Sequence, residues 1–347
     1  MSTHERPISY RDAGVDRDVA ERAKNSIRAL VESTRIPGVL SEVGSFGGMF
    51  RLPPGFEQAV LVASADGVGT KLKVAMRAGV HDTVGHDLVN HCVNDILVEG
   101  AEPLFFLDYV GMGVLEAGVV EALVAGVAAG CRENGCALLG GETAEMPDFY
   151  APGDYDLAGF IVGALDERNR TGMHRVRAGD TLIGLAANGF HTNGYSLVRR
   201  VVFDRLKLGV GDRYPGMDAT VGDVLLRVHR SYLGSVRPLI RSGLVSALAH
   251  ITGGGIPGNL DRVIPEGLEA AVERAAWRVP EEFRAIEQAG VETDEMYRTF
   301  NMGVGMVLIV AEAQTDAVLR GLDGAAQDAW VIGRVRASTG AERVVFV

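Results

Sequence analysis

Two apolar segments of this chain end in the same way, with glycines beside a carboxylate. Residues 59–65 are almost entirely apolar and stop at Asp-Gly-Val-Gly-Thr-Lys, residues 66–71. Residues 137–139 stop at Gly-Gly-Glu-Thr-Ala-Glu, residues 140–145. A strand that ends like this presents carboxylate oxygens, which Mg²⁺ prefers, beside exposed backbone N–H groups, which bind phosphate. Two such turns in one chain predict a nucleotide site.

The size and charge of the chain narrow the class of protein. With 347 residues, 47% of them hydrophobic, it can bury a large core and form about two domains. The net charge of -11 argues against nonspecific binding to nucleic acid or to anionic membranes. Residues 1–16 lack the apolar run of a secretory signal, and no segment approaches the roughly 18 apolar residues of a membrane helix. We expect a cytoplasmic protein that binds neither membranes nor nucleic acid.

The three cysteines agree with a reducing compartment. Cys92, Cys131 and Cys136 form no C-x-x-C pair, and their number is odd. Buried thiols are therefore the favoured interpretation, ahead of a metal or redox role.

Hydrophobic periodicity predicts alternating helices and strands. The polar stretch at residues 166–179, which contains four arginines, indicates a boundary between domains at 1–168 and 169–347. We expect an α+β (mixed α/β) fold with a sheet and helices in each domain. The predicted strands are 59–65, 103–108, 137–139, 157–165, 181–186 and 306–310; the predicted helices are 17–34, 82–99, 115–134, one from Tyr195 and one at 224–239; residues 36–54 are predicted to be a loop.

The predicted helix at 82–99 carries a polar stripe of Asp87, His91, Asn94 and Asp95. Such a stripe is usually a solvated face, but here the flanking residues are apolar and the polar side chains are short, which favours metal coordination. Asp66, Asp95 and Glu142 would suit Mg²⁺ better than zinc. The alternative for Asp66 is a turn residue, and for Glu142 it is a residue that caps a helix start.

The glycine-rich turns are weaker signals. Residues 66–71 lack the Gly-Lys-Ser/Thr ending of a Walker A motif, so only backbone N–H groups and Lys71 remain to meet phosphates. The loop at 44–48 closes over phosphates or is simply flexible, and residues 253–255 bind a phosphate or form a tight turn. His191 is equally well explained as a substrate contact or as a locally bonded loop histidine. No hydrolase motif is present.

Eight segments together resemble one family over nearly the whole chain, from Tyr10 to Gly305, and in the expected order. The chain is similar to the phosphoribosylformylglycinamidine cyclo-ligases, also called aminoimidazole ribonucleotide synthetases. One departure is Arg11, where the family usually has Lys; a planar fork replaces a compact ammonium. The segments are YRDAGVD (10–16), DGVGTK (66–71), CVND (92–95), GAEPLFFLD (100–108), GGETAEM (140–146), HTNGYS (191–196), HITGGG (250–255) and FNMGVG (300–305).

The resemblance implies a fold, an assembly and a reaction. The fold is a two-domain α+β structure, the assembly is a homodimer whose N-terminal domains pair their sheets into a barrel, and ATP lies in a cleft near that interface. The reaction is the fifth step of purine synthesis: formylglycinamidine ribonucleotide and ATP give aminoimidazole ribonucleotide, ADP and phosphate. ATP phosphorylates the formamide oxygen, and the amidine nitrogen then closes the ring.

We assign the predicted site on the residues and the resemblance together, with ATP and Mg²⁺ as cofactors. Asp108, Glu145 and His191 are candidates for a general base, with no sequence signal to choose between them. The catalytic residues are Asp66, Lys71, Asp95 and His191; the cofactor-binding residues are Gly44, Gly47, Gly48, Asp66, Gly67, Gly69, Thr70, Lys71, Asn94, Asp108, Gly140, Gly141 and Glu142; the substrate-binding residues are His191, Asn193, Thr252, Gly253, Gly254 and Gly255; the metal ligands are Asp66, Asp95 and Glu142.

Three rival interpretations are disfavoured. Selenophosphate synthetases and thiamine-phosphate kinases share an acidic ATP site, but the former usually carry a reactive Cys or selenocysteine near the N-terminus, and the first cysteine here is Cys92. Formylglycinamidine synthetases also contain a glutaminase, for which 347 residues leave no room. A nucleotide-binding scaffold without catalysis would not need the His191 turn and residues 253–255.

Overall fold

The chain forms two β-sheets that follow one another along the sequence. The computed structural model describes residues 9–338 and 340–347. The strands are β1 (Ala59–Gly67), β2 (Glu102–Met112), β3 (Ala137–Glu145), β4 (Tyr155–Asp166), β5 (Thr181–Ala186), β6 (Ala247–His250), β7 (Leu268–Val272), β8 (Val304–Val310), β9 (Ala329–Ala337) and β10 (Val344–Phe346). The helices are α1 (Arg17–Glu32), α2 (Leu72–Ala78), α3 (Asp82–Leu97), α4 (Ala117–Asn134), α5 (Tyr195–Arg199), α6 (Val221–Leu225), α7 (Leu233–Arg241), α8 (Gly255–Leu260), α9 (Glu281–Gln288), α10 (Thr293–Thr299) and α11 (Thr315–Gly324). The predicted mixed α/β class, with sheets and helices in both halves, is confirmed.

The first sheet has four strands in the order β1-β4-β2-β3. β4 pairs antiparallel with both β1 and β2, whereas β2 and β3 are parallel. The connection between parallel β2 and β3 is α4, which packs with α3 over one face of the sheet, and α1 packs on α4. Asp16 caps the N-terminus of α1, because its carboxylate accepts hydrogen bonds from the N–H groups of Asp18 and Val19.

Two glycines allow α3 and α4 to approach each other closely. A Cβ atom on Gly85 of α3 would lie 2.1 Å from the carbonyl oxygen of Leu123, and one on Gly126 of α4 would lie 1.8 Å from that of Asp82. Both distances are far inside van der Waals contact, so no larger residue fits without separating the helices. This contact fixes α3, which carries the polar stripe, against the sheet.

No helix within residues 9–338 and 340–347 covers the second face of the first sheet. Successive side chains along a strand point to opposite faces of the sheet. The side chains that point away from α3 and α4 include Leu61, Ala65, Leu107, Tyr109 and Phe160. Leu61 is 65% exposed and Phe160 is 45% exposed. The sheet therefore presents an apolar open face.

The second sheet has six strands in the order β10-β7-β9-β5-β8-β6. β8 lies between β5 and the edge strand β6, and every residue from Val304 to Val310 is buried. All strands of the first sheet end by Asp166 and those of the second begin at Thr181. None of the helices in the described part of the chain is long and apolar enough to cross a membrane.

Two predicted elements are wrong. The strand predicted at 137–139 is present as the start of β3, but the turn predicted at 140–145 is instead a continuation of that strand, because β3 stays paired with β2 as far as Glu145 opposite Met112. Glu145 then accepts hydrogen bonds from the backbone N–H groups of Asp16 and Leu115, which gives it a structural role. The single helix predicted at 224–239 is two helices, α6 and α7, because the segment between them runs across α3 and bonds to its polar side chains.

Candidate active site

Two carboxylates meet at one end of the first sheet. Asp66 lies near the end of β1, and Asp95 lies on the sheet-facing side of α3. The Asp66 carboxylate is 2.7 Å and the Asp95 carboxylate 3.7 Å from Nε2 of His91, and Ser64 donates a hydrogen bond to Asp95. The side chains of Asp66 and Asp95 remain 43% and 26% exposed, whereas His91 is buried. The predicted pairing of Asp66 with Asp95 therefore has a geometric basis.

The pKa values of Asp66, His91 and Asp95 are all shifted toward the charged forms. Burial alone would disfavour a charged His91, but the hydrogen bond to Asp66 and the negative charges of Asp95 and Asp66 raise its pKa. Burial opposes ionisation of Asp66 and Asp95 too, yet hydrogen bonds to His91 and His250 hold the pKa of each carboxyl below its usual value. Two ionised, partly exposed carboxylates on fixed elements are the donor set that Mg²⁺ takes.

Lys71 has partners other than the predicted phosphates. Its side chain is completely buried, and Nζ lies 2.7 and 2.9 Å from the two carboxylate oxygens of Asp87. It also donates to the carbonyl oxygens of His191 (3.2 Å) and Arg227 (2.7 Å). These acceptors use all the hydrogens of an ammonium. Burial lowers the pKa of Lys71 and raises that of Asp87, and the four oxygens around Nζ favour the charged pair.

Asn94, predicted to bind the cofactor, holds the chain segment between α6 and α7 instead. Its carbonyl oxygen accepts the N–H of Tyr232, and its amide donates to the carbonyl oxygen of Arg230. Asn90 donates to the carbonyl oxygen of His229, and Asp87 accepts the N–H of His229. Asn94 is fully buried. The four stripe residues predicted on α3 do lie on one side of the helix, but two of them, Asp87 and Asn94, bind backbone from the second half of the chain.

A cluster of histidines continues from the acids into the second half. Nδ1 of His250, at the end of β6, lies 2.8 Å from Asp95, and its Nε2 lies 3.0 Å from Nε2 of His229. The ring of His191 stacks on that of His229 at 4.0 Å. Burial lowers the pKa of His250, and it lowers those of His191 and His229 far below the usual value. His229, His250 and Thr192, which bonds to His91, were not among the predicted site residues.

The predicted substrate residues surround this cluster. His191 is buried and has a left-handed backbone (φ 59°), which is unfavourable for a residue with a side chain and shows that the surroundings fix its position. Asn193, two residues after His191, lies beside Gly253, where a Cβ atom would be 3.3 Å from the Asn193 side-chain oxygen. Thr252 bonds to Asn259, Gly253 and Gly254 are exposed, and Gly255 is buried. The turn that contains His191 (the 191 turn) and the turn that contains Thr252 (the 252 turn) therefore lie next to each other.

Glu142 is not part of the Asp66 and Asp95 group within one chain. β1 and β3 are the outer strands of the sheet, three strand spacings or about 14 Å apart. Asp66, Asp108 and Gly141 share one row that faces the helices, so the next residue, Glu142, points to the open face. One ion cannot contact all three predicted metal ligands in one protomer, which corrects that part of the prediction.

Asp108 occupies the helix-facing side of the sheet, next to Gly141, where a Cβ atom would lie 1.8 Å from its carboxylate. Burial raises the pKa of Asp108 to about 7. Gly140 lies beside Gly141 inside β3, not in a turn. The remaining predicted cofactor residues, Gly44, Gly47, Gly48, Gly67, Gly69 and Thr70, lie on the surface or half-buried, and Thr70 contacts the hydroxyl of Ser196.

Comparison with known proteins identifies the family. Residues 49–165 match the model of the AIR synthase related protein N-terminal domain, and residues 177–345 match that of the C-terminal domain. A phosphoribosylformylglycinamidine cyclo-ligase from Geobacter metallireducens is 50% identical over 98% of this chain and 99% of its own length. The same protein from Geotalea daltonii is 48% identical with the same coverage. The chain belongs to the phosphoribosylformylglycinamidine cyclo-ligase family.

Solved structures of more distant proteins share the fold of this cyclo-ligase family member. A thiamine-monophosphate kinase from Stenotrophomonas maltophilia superposes with a TM-score of 0.71 at 16% identity, covering 92% of this chain and 95% of the kinase. A hydrogenase maturation protein HypE, solved in complex with ATP, gives 0.66 at 18% identity, covering 93% and 90%. At these identities the likeness establishes the architecture alone. The resemblance carried by the sequence motifs is confirmed at the level of the family.

Proposed function

We propose that this chain catalyses the ATP-dependent ring closure of formylglycinamidine ribonucleotide to 5-aminoimidazole ribonucleotide, with release of ADP and phosphate. The proposal rests on sequence identity: two proteins named phosphoribosylformylglycinamidine cyclo-ligase are 48% and 50% identical to this chain over 98% of its length. The convergence of Asp66 and Asp95 beside the 191 and 252 turns supports it, because the reaction must bring a nucleotide and a second phosphorylated substrate together.

The proposed chemistry has two steps. The formamide oxygen attacks the γ-phosphorus of ATP, ADP leaves, and the formamide nitrogen loses its proton, which gives an iminophosphate. The amidine nitrogen then attacks the former formyl carbon, the C–O bond to phosphate breaks, and a proton leaves the nitrogen. The second step is intramolecular, so a bound conformation with the two groups in contact can supply up to roughly 7 to 11 kcal/mol of the barrier. The protein must mainly position the reactants and neutralise phosphate charge.

We assign the residues of this chain as follows. Asp66 and Asp95 would hold Mg²⁺, which would supply positive charge against the phosphates when bound. The backbone N–H groups at Gly69 and Thr70 would bind the phosphates, and residues 44–48 would close over them, whereas the N–H of Gly67 donates to the Asp66 carboxylate. Asn193 and Thr252 to Gly254 bind the ribonucleotide. Lys71 supports the site from within, because it ties Asp87 to the backbone at His191 and Arg227.

We further propose that the chain is a homodimer that pairs the open faces of its first sheets. The apolar side chains of Leu61 and Phe160 on that face are 65% and 45% exposed. Monomeric proteins rarely expose large apolar side chains together on one face, because contact of these side chains with water is unfavourable. Glu142 points to the same face, so it would contribute to a site only near the interface.

Light scattering should give twice the chain mass, and Phe160→Asp should give the monomer, whereas Val331→Asp on β9 should not. A monomeric native protein at micromolar concentration would refute the pairing.

The cytoplasm as the place of action and the division between residues 168 and 169 stay predictions. Limited proteolysis would test the division: cleavage within 166–179, with both fragments resistant afterwards, is the expected result.

The activity is tested by measuring ADP release and aminoimidazole product with formylglycinamidine ribonucleotide, with and without Mg²⁺. We expect equal amounts of ADP and product, dependence on Mg²⁺, and a loss of at least 100-fold in kcat for Asp95→Asn, since one carboxylate of the ion site is removed. The exposed Asp204→Asn is the matched control and should keep full activity. ATP binding without any product at saturating substrate and Mg²⁺ would contradict the proposal.

A further inference from the structure

Two hydroxyl groups join the halves of the chain beside the turn that is proposed to bind ATP. Oγ1 of Thr70 lies 3.1 Å from Oγ of Ser196. Thr70 belongs to the turn at residues 66–71, whereas Ser196 lies in the first turn of α5, three residues after Asn193. Both residues are exposed. At this contact, the half proposed to bind ATP therefore touches the half proposed to bind the ribonucleotide.

The position of Ser196 is fixed by the residues just before it. Gly194 has a left-handed backbone (φ 77°), and a Cβ atom on it would lie 2.3 Å from the ring of Phe300, so only glycine fits there. Tyr195 is buried, and its hydroxyl donates a hydrogen bond to the carbonyl oxygen of Leu225. These contacts hold the start of α5, and with it the Ser196 hydroxyl, in one place.

The position of Thr70 relative to α5 is fixed by contacts that do not involve the two hydroxyls. Lys71, the next residue, donates to the carbonyl oxygen of His191 from its buried ammonium. Two turns further along, the guanidinium of Arg77 lies 4.2 Å from the ring centre of Phe203, in the π-helical turn that continues α5. The two hydroxyls thus stand on elements that are already held together, which is the requirement for donors that act without rearrangement.

The hydroxyl pair retains hydrogen-bonding capacity for a ligand. Each hydroxyl has one hydrogen and two lone pairs, and their mutual bond uses only one of the two hydrogens. Within residues 9–338 and 340–347, neither Thr70 nor Ser196 has another side-chain hydrogen bond. A phosphoryl group carries its negative charge on oxygens that accept hydrogen bonds, so a free and exposed O–H group at this point suits such a group.

We propose that Ser196 is a further catalytic residue: its hydroxyl donates a hydrogen bond to an oxygen of the γ-phosphoryl group as this group passes from ATP to the formamide oxygen, with Thr70 as a second donor. This inference rests on the proposed function. The transferred group must lie where the two substrates meet, and the hydroxyl pair joins the segments assigned to them. Ser196 forms no covalent bond, and its proton stays on its oxygen. Its contribution is a fixed donor for the charge of the transferred group.

Nucleotide binding tests the contact without turnover. Titration calorimetry in Mg²⁺ compares ADP with the β,γ-imido analogue of ATP, which has the γ-phosphoryl group but does not transfer it. Ser196→Ala should weaken binding of the analogue about 3- to 10-fold and leave binding of ADP unchanged, because only the analogue reaches the hydroxyl. The exposed Ser242→Ala, at the end of α7, is the matched control and should bind both as the native protein does. Equal affinity of native protein and folded Ser196→Ala for the analogue would overturn the inference.

Kinetics of ADP release separate a catalytic contact from a bond that only joins the halves. Ser196→Ala and Thr70→Val should each lower kcat about tenfold or more, with a smaller change in KM. A bond that only joined the halves would be lost completely in either single variant, so the double variant would then equal them. We expect the double variant to lose at least about threefold more than either. A double variant that equals the single ones would contradict a contact between Ser196 and the phosphoryl group.

A crystal structure of the native protein with the same analogue and Mg²⁺ decides the question if a variant does not fold. Oγ of Ser196 should lie about 3 Å or less from a γ-phosphate oxygen. A separation beyond about 4 Å would overturn the inference and leave the ring closure untouched. Native protein that forms no product would instead refute the proposed function, and the calorimetry and the crystal structure would still determine whether Ser196 contacts the phosphoryl group.

Discussion

Removal of one partner of the buried Lys71–Asp87 pair should destabilise the protein strongly, and removal of both should restore part of the loss. Both side chains are 0% exposed, and Nζ lies 2.7 Å from the nearer carboxylate oxygen. Loss of one partner leaves an uncompensated charge in the interior, which typically costs about 3 to 5 kcal/mol. The effect therefore exceeds that of an average substitution, which is about 1 kcal/mol.

The two single substitutions should differ. Asp87→Leu leaves an ammonium without its counter-ion and also orphans the N–H of His229, so we expect a loss of about 4 to 6 kcal/mol. Lys71→Met leaves a carboxyl that can take up a proton and orphans two carbonyl oxygens, so we expect about 2 to 4 kcal/mol. The double variant retains the orphaned backbone groups but no charge. Its loss should be smaller than the sum by about 3 kcal/mol.

Urea unfolding measures these differences. Far-ultraviolet circular dichroism reports the whole chain, whereas Trp277 and Trp330 report the second half by fluorescence, so agreement of the two curves supports one cooperative transition. Losses that add to within about 0.5 kcal/mol would show that Lys71 and Asp87 act independently and would refute the buried pair. Such a result would favour the original prediction that Lys71 binds the phosphates of ATP.

Two further predictions concern the first domain. Burial raises the pKa of Asp108 to about 7, above its unfolded value of 3.8, so ionisation at higher pH lowers native stability between those two values. Asp108→Asn removes this penalty. The unfolding free energy of the variant minus that of the native protein, measured in urea, should therefore increase by about 3 kcal/mol between pH 5 and pH 8. If this difference does not change with pH, the pKa of Asp108 is not raised. Gly126→Ala, whose Cβ would lie 1.8 Å from the Asp82 carbonyl oxygen, should cost about 1 to 3 kcal/mol, while Gly118→Ala on the same helix, with nothing within 4 Å, should be neutral or stabilising by up to about 1 kcal/mol. Equal melting temperatures for the two variants would contradict the close helix contact.

Periodicity was sufficient where a residue's role follows from its own element. The helical spacing in residues 82–99 predicts one polar face, and the structure has that face on α3. The acid that ends the apolar run at 59–65 was predicted to join Asp95, and both carboxylates lie near the same nitrogen of His91. Local patterns carry this information because a helix and a strand each have a fixed repeat.

Periodicity failed where a role depends on which strands are neighbours. Glu142 follows two glycines, as Asp66 precedes one, but strand order and register put it on the opposite face and at the opposite edge of the sheet. His229 and His250 each stand alone in the sequence, and only the tertiary fold brings them within 3.0 Å. Such contacts depend on packing between distant segments, which one sequence without its fold does not reveal.

The burial of Lys71 changes how its importance for catalysis should be understood. Its ammonium joins Asp87 on α3 to the backbone at His191 and Arg227, and these belong to the half of the chain that carries the proposed substrate turns. Asn90 and Asn94 add bonds from the same helix to the same segment. α3 also carries Asp95, so one helix sets both the acid site and the position of the opposing half. A Lys71 variant can therefore lose activity because the two substrates no longer meet, without any contact between Lys71 and phosphate.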